Sequence, residues 1–236
     1  MLTRVLEPET LDHLAPDDPA AQRARRDLRR VNAFMGARRI LERALTRALP
    51  VERAGLRILE IGCGDGRLLL EVARHRGKRW PGANVDLLDR QAIVDDETIA
   101  AYAAAGWRAR TIVADVLDWA RADGERWDVV VANLFLHHFE GDALGRVLAG
   151  AARRADALVA CEPRRSRFAL AASHLIFFLG ANAVTRHDGV LSVRAGFVGD
   201  DLARAWPAPH DAWRVDEYED GAFTHCFCAV RRGAWA

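Results

Sequence analysis

Lysine is nearly absent from this chain of 236 residues, Lys78 being the only one. The 34 basic residues are otherwise arginine and are balanced by 33 acids, for a net charge of +1. With no excess of either sign, there is no global field to draw nucleic acid or an anionic membrane surface. The arginine bias, alongside abundant alanine, reads as genomic base composition rather than as a recognition surface. Cysteine is also scarce. Cys63, Cys161, Cys226 and Cys228 form no C-x-x-C pair, which argues against a disulfide framework and for a reduced, cytoplasmic setting. Long hydrophobic runs are missing too. The longest, "FALAASHLIFFLG" from Phe168 to Gly180, contains Ser173 and His174 and is too short to cross a bilayer. The opening "LTRVLEPETLDHL" has no apolar core of signal-peptide type. The eight histidines make no H-x-x-x-H or H-x-H pattern, and adjacent His137 and His138 are poorly disposed to share one ion, so no metal site is expected.

What is present suits one soluble domain with a sizeable core, half of it hydrophobic and 28% charged. Residues 1–50 read as a helical cap or lid, with helical spacing of Leu28, Val31, Met35, Ile40, Leu41, Leu45 and Leu49 and a break at Gly36. From residue 51 to 236 the pattern is that of a single α/β domain. "LRILEIG", "NVDLLD", "ARTIVAD", "WDVVVAN" and "ALVACEP" read as strands, alternating with helical segments. That alternation calls for a doubly wound, mostly parallel sheet covered on both faces. An insertion over 164–200 interrupts it. Its first part reads as helix to Gly180, and "ANAVTRHDGVLSVRAG" reads as a loop. "WRVDEYEDG" and "AFTHCFCAVRR" close the chain as a hairpin, giving seven strands with an antiparallel C-terminal one.

The chemistry concentrates where the first strand meets the first helix, "RILEIGCGDGRLLLEVA". Gly62, Gly64 and Gly66 at every second position leave backbone for a ligand to approach closely. No Lys-Ser or Lys-Thr follows, so this is not a phosphate-binding P-loop. Nor is it G-x-G-x-x-G, and Glu60 and Asp65 would repel a dinucleotide's pyrophosphate. A cationic or neutral ligand group is expected there. Asp89 ends the second strand, at the distance where an acid grips ribose hydroxyls, and Asp115 ends the third, placed to accept from an adenine amino group.

With "LEIGCGDG", "DLLDR", "ADVLDW" and "WDVVVANLFLHHF" in this order, the chain resembles the class I S-adenosylmethionine-dependent methyltransferases over about residues 56 to 162. The resemblance implies S-adenosyl-L-methionine as cofactor and S-adenosyl-L-homocysteine as product. It implies that Gly62, Cys63 and Gly64 meet the methionine moiety and that Glu60 or Asp65 faces its ammonium. Asp89 then takes the ribose, Arg90 flanks the adenine, Asp115 and Val116 bind its edge, and Asn133 and Leu134 line the cofactor near its sulfonium. "RRDLRRVNAFMGARR" and "TRHDGVLSVR" resemble segments of a bacterial subgroup acting on polyketide, quinone or other aromatic metabolites.

Methyl transfer needs an aligned nucleophile and excluded water, and a weakly acidic hydroxyl needs a base. His137 resembles in position the base of aromatic O-methyltransferases, though the usual His-Asp-Trp is His137-His138-Phe139 here. His138 and His187 are further catalytic candidates. Arg186 and Asp188 flank His187 and suit a substrate carboxylate, phenolate or carbonyl. Asn32, Phe34 and Met35, with Phe168, His174, Phe177 and Phe178, suit a lid over a flat apolar acceptor. The expected activity is methyl transfer to a hydroxyl oxygen of such a small molecule, with carbon methylation the alternative. A nucleic-acid methyltransferase is disfavoured by "NLFL" where N-P-P-aromatic is wanted, and intact glycines and acids argue against a non-catalytic relative.

Overall fold

The computed structural model describes residues 2–50, 52–175, 180–209 and 211–235; Phe177 and Phe178 lie outside them. After a short 3-10 turn at Leu11–His13 come helices α1 (Pro19–Met35) and α2 (Ala37–Ala48). Asp18 starts α1 by accepting from Ala20 N, with Pro19 at its first position, where a missing N–H costs nothing. Gly36, at φ 71°, ends one helix and begins the other, a left-handed conformation that glycine adopts without strain.

The alternating region follows as β1 (Arg57–Ile61), α3 (Arg67–Arg76), β2 (Asn84–Asp89), α4 (Asp96–Ala104), β3 (Arg108–Val113), α5 (Val116–Arg121), β4 (Trp127–Asn133), α6 (Gly141–Arg154) and β5 (Ala155–Pro163). Then come α7 (Arg167–Ser173), α8 (Ala183–Ala195), α9 (Asp201–Ala205), β6 (Trp213–Asp220) and β7 (Thr224–Arg231). The seven strands form one sheet in the order β3-β2-β1-β4-β5-β7-β6, with β7 antiparallel to both neighbours. The doubly wound, mostly parallel architecture expected from the alternation is therefore the one found.

Successive residues of each strand face opposite layers, as the period of two demands. Ile58, Val129, Val131 and Val159 pack with α2 and α3, whereas Leu59, Ile61, Val130 and Leu158 pack with α5, α6 and α9. In α2, Ile40, Leu41, Ala44, Leu45 and Ala48 are buried in the first layer, against β5 and β7. The expected lid at 1–50 is thus divided by its packing. α2 belongs to the core, and only α1 with the segment before it stands over the sheet's edge.

The stretch expected to be a loop at 181–196 is helical instead. Asn182 caps α8 by accepting from Thr185 N at 2.8 Å, and Asp27 on α1 accepts from Asn182 N at 2.8 Å. Gly189 and the β-branched residues weaken the helical signal in sequence, but burial of Thr185, Asp188, Leu191 and Ala195 supplies the missing stability.

Candidate active site

The strand order reverses between β1 and β4, and parallel sheets bind ligands outside the carboxyl ends of their strands at such a switch point. A cavity of about 770 Å³ opens there. Its floor is the glycine loop with the ends of β2, β3 and β4. Its roof is the chain from Leu6 to His13 together with α1, and its side wall comes from α7 and α8.

All the expected cofactor residues line this cavity: Glu60, Gly62, Cys63, Gly64, Asp65, Asp89, Arg90, Asp115, Val116, Asn133 and Leu134. Asp89 fixes the loop, accepting from Gly64 N and Gln91 N, each at 2.9 Å. Asp115 caps α5 by accepting from Leu117 N at 2.7 Å. Asp65 pairs with Arg29 of α1 at 2.7 Å. Arg90 is turned toward the roof, where it donates to the backbone carbonyl of Asp12. Leu134, at φ 51°, is the one non-glycine among the described residues with positive φ, a strained turn where β4 meets the cavity.

Glu60 is the exceptional group. It is 3% exposed and its Oε2 has no hydrogen-bond partner. Burial, then the nearby charges of Asp65 and Asp89, raise its pKa to about 8. A buried carboxylate without a partner is costly unless a cation or donor reaches it. The floor therefore fits a ligand carrying an ammonium and hydroxyl donors, and it disfavours an anionic one.

The same cavity is bordered by a histidine pair on the 3-10 turn Leu136–His138. Glu162, fully buried at the end of β5, shapes that turn by accepting from Phe135 N (3.1 Å) and Leu136 N (2.8 Å). Its other oxygen accepts from His137 Nδ1 at 2.8 Å, while His137 Nε2 lies 3.4 Å from Glu9 Oε1. Burial alone would lower the pKa of His137, but these two carboxylates overcome it and raise the value to about 9. At neutral pH His137 is an imidazolium with no lone pair free to take a proton. His138, its ring centroid 4.3 Å away, is held below the ordinary histidine value by burial and by the His137 charge. It faces the cavity as a neutral imidazole, with Nδ1 3.4 Å from Asp12 Oδ2.

Asn32, Phe34 and Met35 line the cavity as expected. The expected grouping of Arg186, His187 and Asp188 over the chamber does not form. On the helix Arg186 is exposed, the His187 side chain is 61% exposed with Nδ1 3.2 Å from Asp188 Oδ1, and none of the three lines the cavity. Asp188 is buried and accepts from Thr10 N and Leu11 N, each at 2.9 Å, so it anchors the roof. His174 is exposed just beyond α7 and does not line the cavity either. Phe168 stacks on Phe223, centroids 5.7 Å apart, and only Phe223 reaches the lining.

Three contributors escaped the sequence reading: Glu9, Glu162 and Phe135. Glu162 carried the same signal as Asp89, an acid at a strand's carboxyl end. Glu9 carried none, because its partner lies far along the chain. Glu9, His137 and His138 also bring ligand atoms within 4.8 Å of one another, the one such group among the described residues. An imidazolium already occupies the position a cation would take between the two carboxylates.

The family described as "Methyltransferase domain" matches this chain over residues 31–163, more than half its length. No curated protein matches it. Among solved structures, an O-methyltransferase family protein from Burkholderia thailandensis is similar at TM-score 0.59 and 18% identity, covering 92% of this chain and 61% of that one. This chain thus spans less than two thirds of that protein. The plantazolicin methyltransferase BpumL, in complex with SAH, has TM-score 0.62 at 12% identity and covers 92% of each chain. Magnesium protoporphyrin IX methyltransferase (ChlM) from Synechocystis PCC 6803, with bound SAH, has TM-score 0.53 at 15% identity, covering 94% of this chain and 90% of that one. At such identities the likeness is one of fold.

Proposed function

The chain belongs to the methyltransferase-domain family, and from that premise we propose that it transfers a methyl group from S-adenosylmethionine to a hydroxyl oxygen of an aromatic, polyketide-like or quinone-like small molecule. The observation that carries the reading is a neutral, cavity-facing His138 beside a charged His137, lining the same chamber as Glu60, Asp65, Asp89 and Asp115. Glu60 would hold the cofactor's ammonium, since Asp65 is already paired with Arg29. Asp89 would take the ribose hydroxyls, Asp115 and Val116 the adenine, and Asn133 and Leu134 the region of the sulfonium. Two of the similar proteins were solved with SAH, which supports that cofactor.

Bound there, S-adenosylmethionine supplies a methyl group already activated for displacement. The protein's own task is to hold the acceptor oxygen in line, exclude water and remove its proton. His138 suits proton removal: it is neutral at working pH and borders the chamber lined by Leu28, Val31, Phe34 and Met35. His137 instead orients its neighbour and stabilises negative charge developing on the acceptor oxygen.

A panel of phenols and hydroquinones incubated with S-adenosylmethionine tests the reading, with mass spectrometry for one added methyl and NMR for its position. His138→Ala should lower turnover by roughly 10²–10⁴-fold with cofactor affinity retained. Methylation on carbon, or full turnover by His138→Ala, would reject it.

A further inference from the structure

Resting on the reading of His138 as the base, we propose that Glu9 is a positioning residue that completes the histidine pair only when the N-terminal strap, residues 2–14, is docked. Glu9 comes from a segment with no regular structure apart from one 3-10 turn, and it reaches a histidine that lies after β4. Its Oε1 also accepts from Ser192 Oγ on α8, so the carboxylate is fixed from two sides. Glu7 lines the same cavity but its carboxylate lies 3.5 Å from Arg194, leaving Glu9 as the strap's partner for His137.

The strap is tied down by polar anchors. Arg4 donates to Ala195 O at 2.7 Å and to Phe139 O at 2.9 Å. Val5 N donates to Arg194 O at 3.2 Å, Asp188 holds Thr10 and Leu11, and Gln91 Nε2 reaches Leu14 O at 3.4 Å. No described residue of the strap is fully buried. A segment held by exchangeable hydrogen bonds, with no core side chain to withdraw, opens at little cost compared with global unfolding. Its opening would uncover the site, because Leu6, Glu9, Leu11, Asp12 and His13 roof the same cavity whose floor is the glycine loop.

Strap docking therefore sets the charge distribution of the site. The groups facing the histidine pair are Glu9 and Asp12 from the strap, Glu162 from β5, and Arg4, whose guanidinium donates to the His137 carbonyl. Glu162 stays with His137 in either state, since both belong to the sheet and its following turn. Glu9 leaves with the strap. Its departure removes one of the two carboxylates that favour protonated His137, and so weakens the like charge that, after burial, holds His138 below the ordinary histidine value. Base and cover are thus assembled in one movement, which ties proton removal to exclusion of water.

The test is an NMR titration of histidine-labelled protein, wild type against Glu9→Gln, Glu9→Asp and Asp188→Asn, without any acceptor present. Glu9→Gln should lower the His137 midpoint by about 1 pH unit or more. Glu9→Asp should recover part of that shift. Asp188→Asn should move the same midpoint although Asp188 touches neither histidine, because it loosens the strap at Thr10 and Leu11. In turnover, Glu9→Gln should cost about tenfold or more in kcat with the KM for S-adenosylmethionine little changed. A His137 midpoint unmoved in both Glu9→Gln and Asp188→Asn overturns the proposal. A shifted midpoint in a protein that methylates carbon keeps the strap coupling and rejects only the oxygen acceptor.

Discussion

The ring of Phe135 lies across Gly62 so closely that a Cβ on that glycine would stand 2.0 Å from Phe135 Cδ2. The loops after β1 and β4 therefore interlock at the point where the strand order reverses. Phe135 is itself held by Glu162 through its backbone N–H, and it follows the strained Leu134.

Two glycines of this loop should then respond differently to alanine. Gly62, at φ 65°, meets both backbone strain and the Phe135 ring, so Gly62→Ala should destabilise the fold by about 3 kcal/mol or more. Gly64, at φ 55°, faces open space, and Gly64→Ala should cost only about 1–2 kcal/mol while crowding the ligand. Urea unfolding and calorimetry with S-adenosylhomocysteine separate the two. Equal stability losses would contradict the interlock.

Glu60 predicts an unusual pH response. Its folded pKa, about 8, lies above the ordinary value of 4.5. The group is neutral in both states below about pH 4.5, and its ionisation increasingly favours the unfolded chain as pH rises toward 8. Glu60→Gln should flatten the melting temperature over that window and exceed wild type at pH 8. The same variant should bind S-adenosylhomocysteine more weakly by about 1.5–3 kcal/mol. Unchanged affinity would remove Glu60 from the cofactor site.

His137 gives the complementary signal. Its folded pKa of about 9 exceeds the reference 6.5, so its stabilisation is fully present below about pH 6.5 and is lost as pH rises through 9. The amount at stake is roughly 3 kcal/mol. His137→Gln should lower stability at pH 6 and leave it nearly unchanged at pH 9.5, measured by urea denaturation at each pH. A loss of equal size at both would mean packing rather than charge.

At the chamber's mouth, Phe34 is 68% exposed yet lines the cavity, and Asn32 Oδ1 is buried without a partner. Phe34→Ala should raise the KM for an aromatic acceptor several-fold, and Asn32→Leu by about 5- to 12-fold for acceptors that donate a hydrogen bond. The KM for S-adenosylmethionine should stay level in both. Effects confined to the cofactor would place these residues on the wrong ligand.

Much of this protein is written in local pattern. The alternation of "NVDLLD" and "WDVVVAN" with helical segments, and the carboxylates Glu60, Asp89 and Asp115 near the carboxyl ends of the first three strands, required only the periodicities of strand and helix to be read. Because a parallel sheet presents all those strand ends along one edge, Glu60, Asp89 and Asp115 were bound to converge once the strands formed. Tertiary packing decided the rest. It made α8 a helix where Gly189 and β-branched residues weakened the signal, and so turned Arg186 and His187 outward while Asp188 faced the strap. It also drew Glu9 to His137 across a separation of 128 residues, which no local pattern encodes. Which residues carry an ordered set of strand-end acids follows from short-range geometry. Which histidine carries a proton depends on charges that only folding brings within a few ångströms, and there the tertiary structure has the deciding voice.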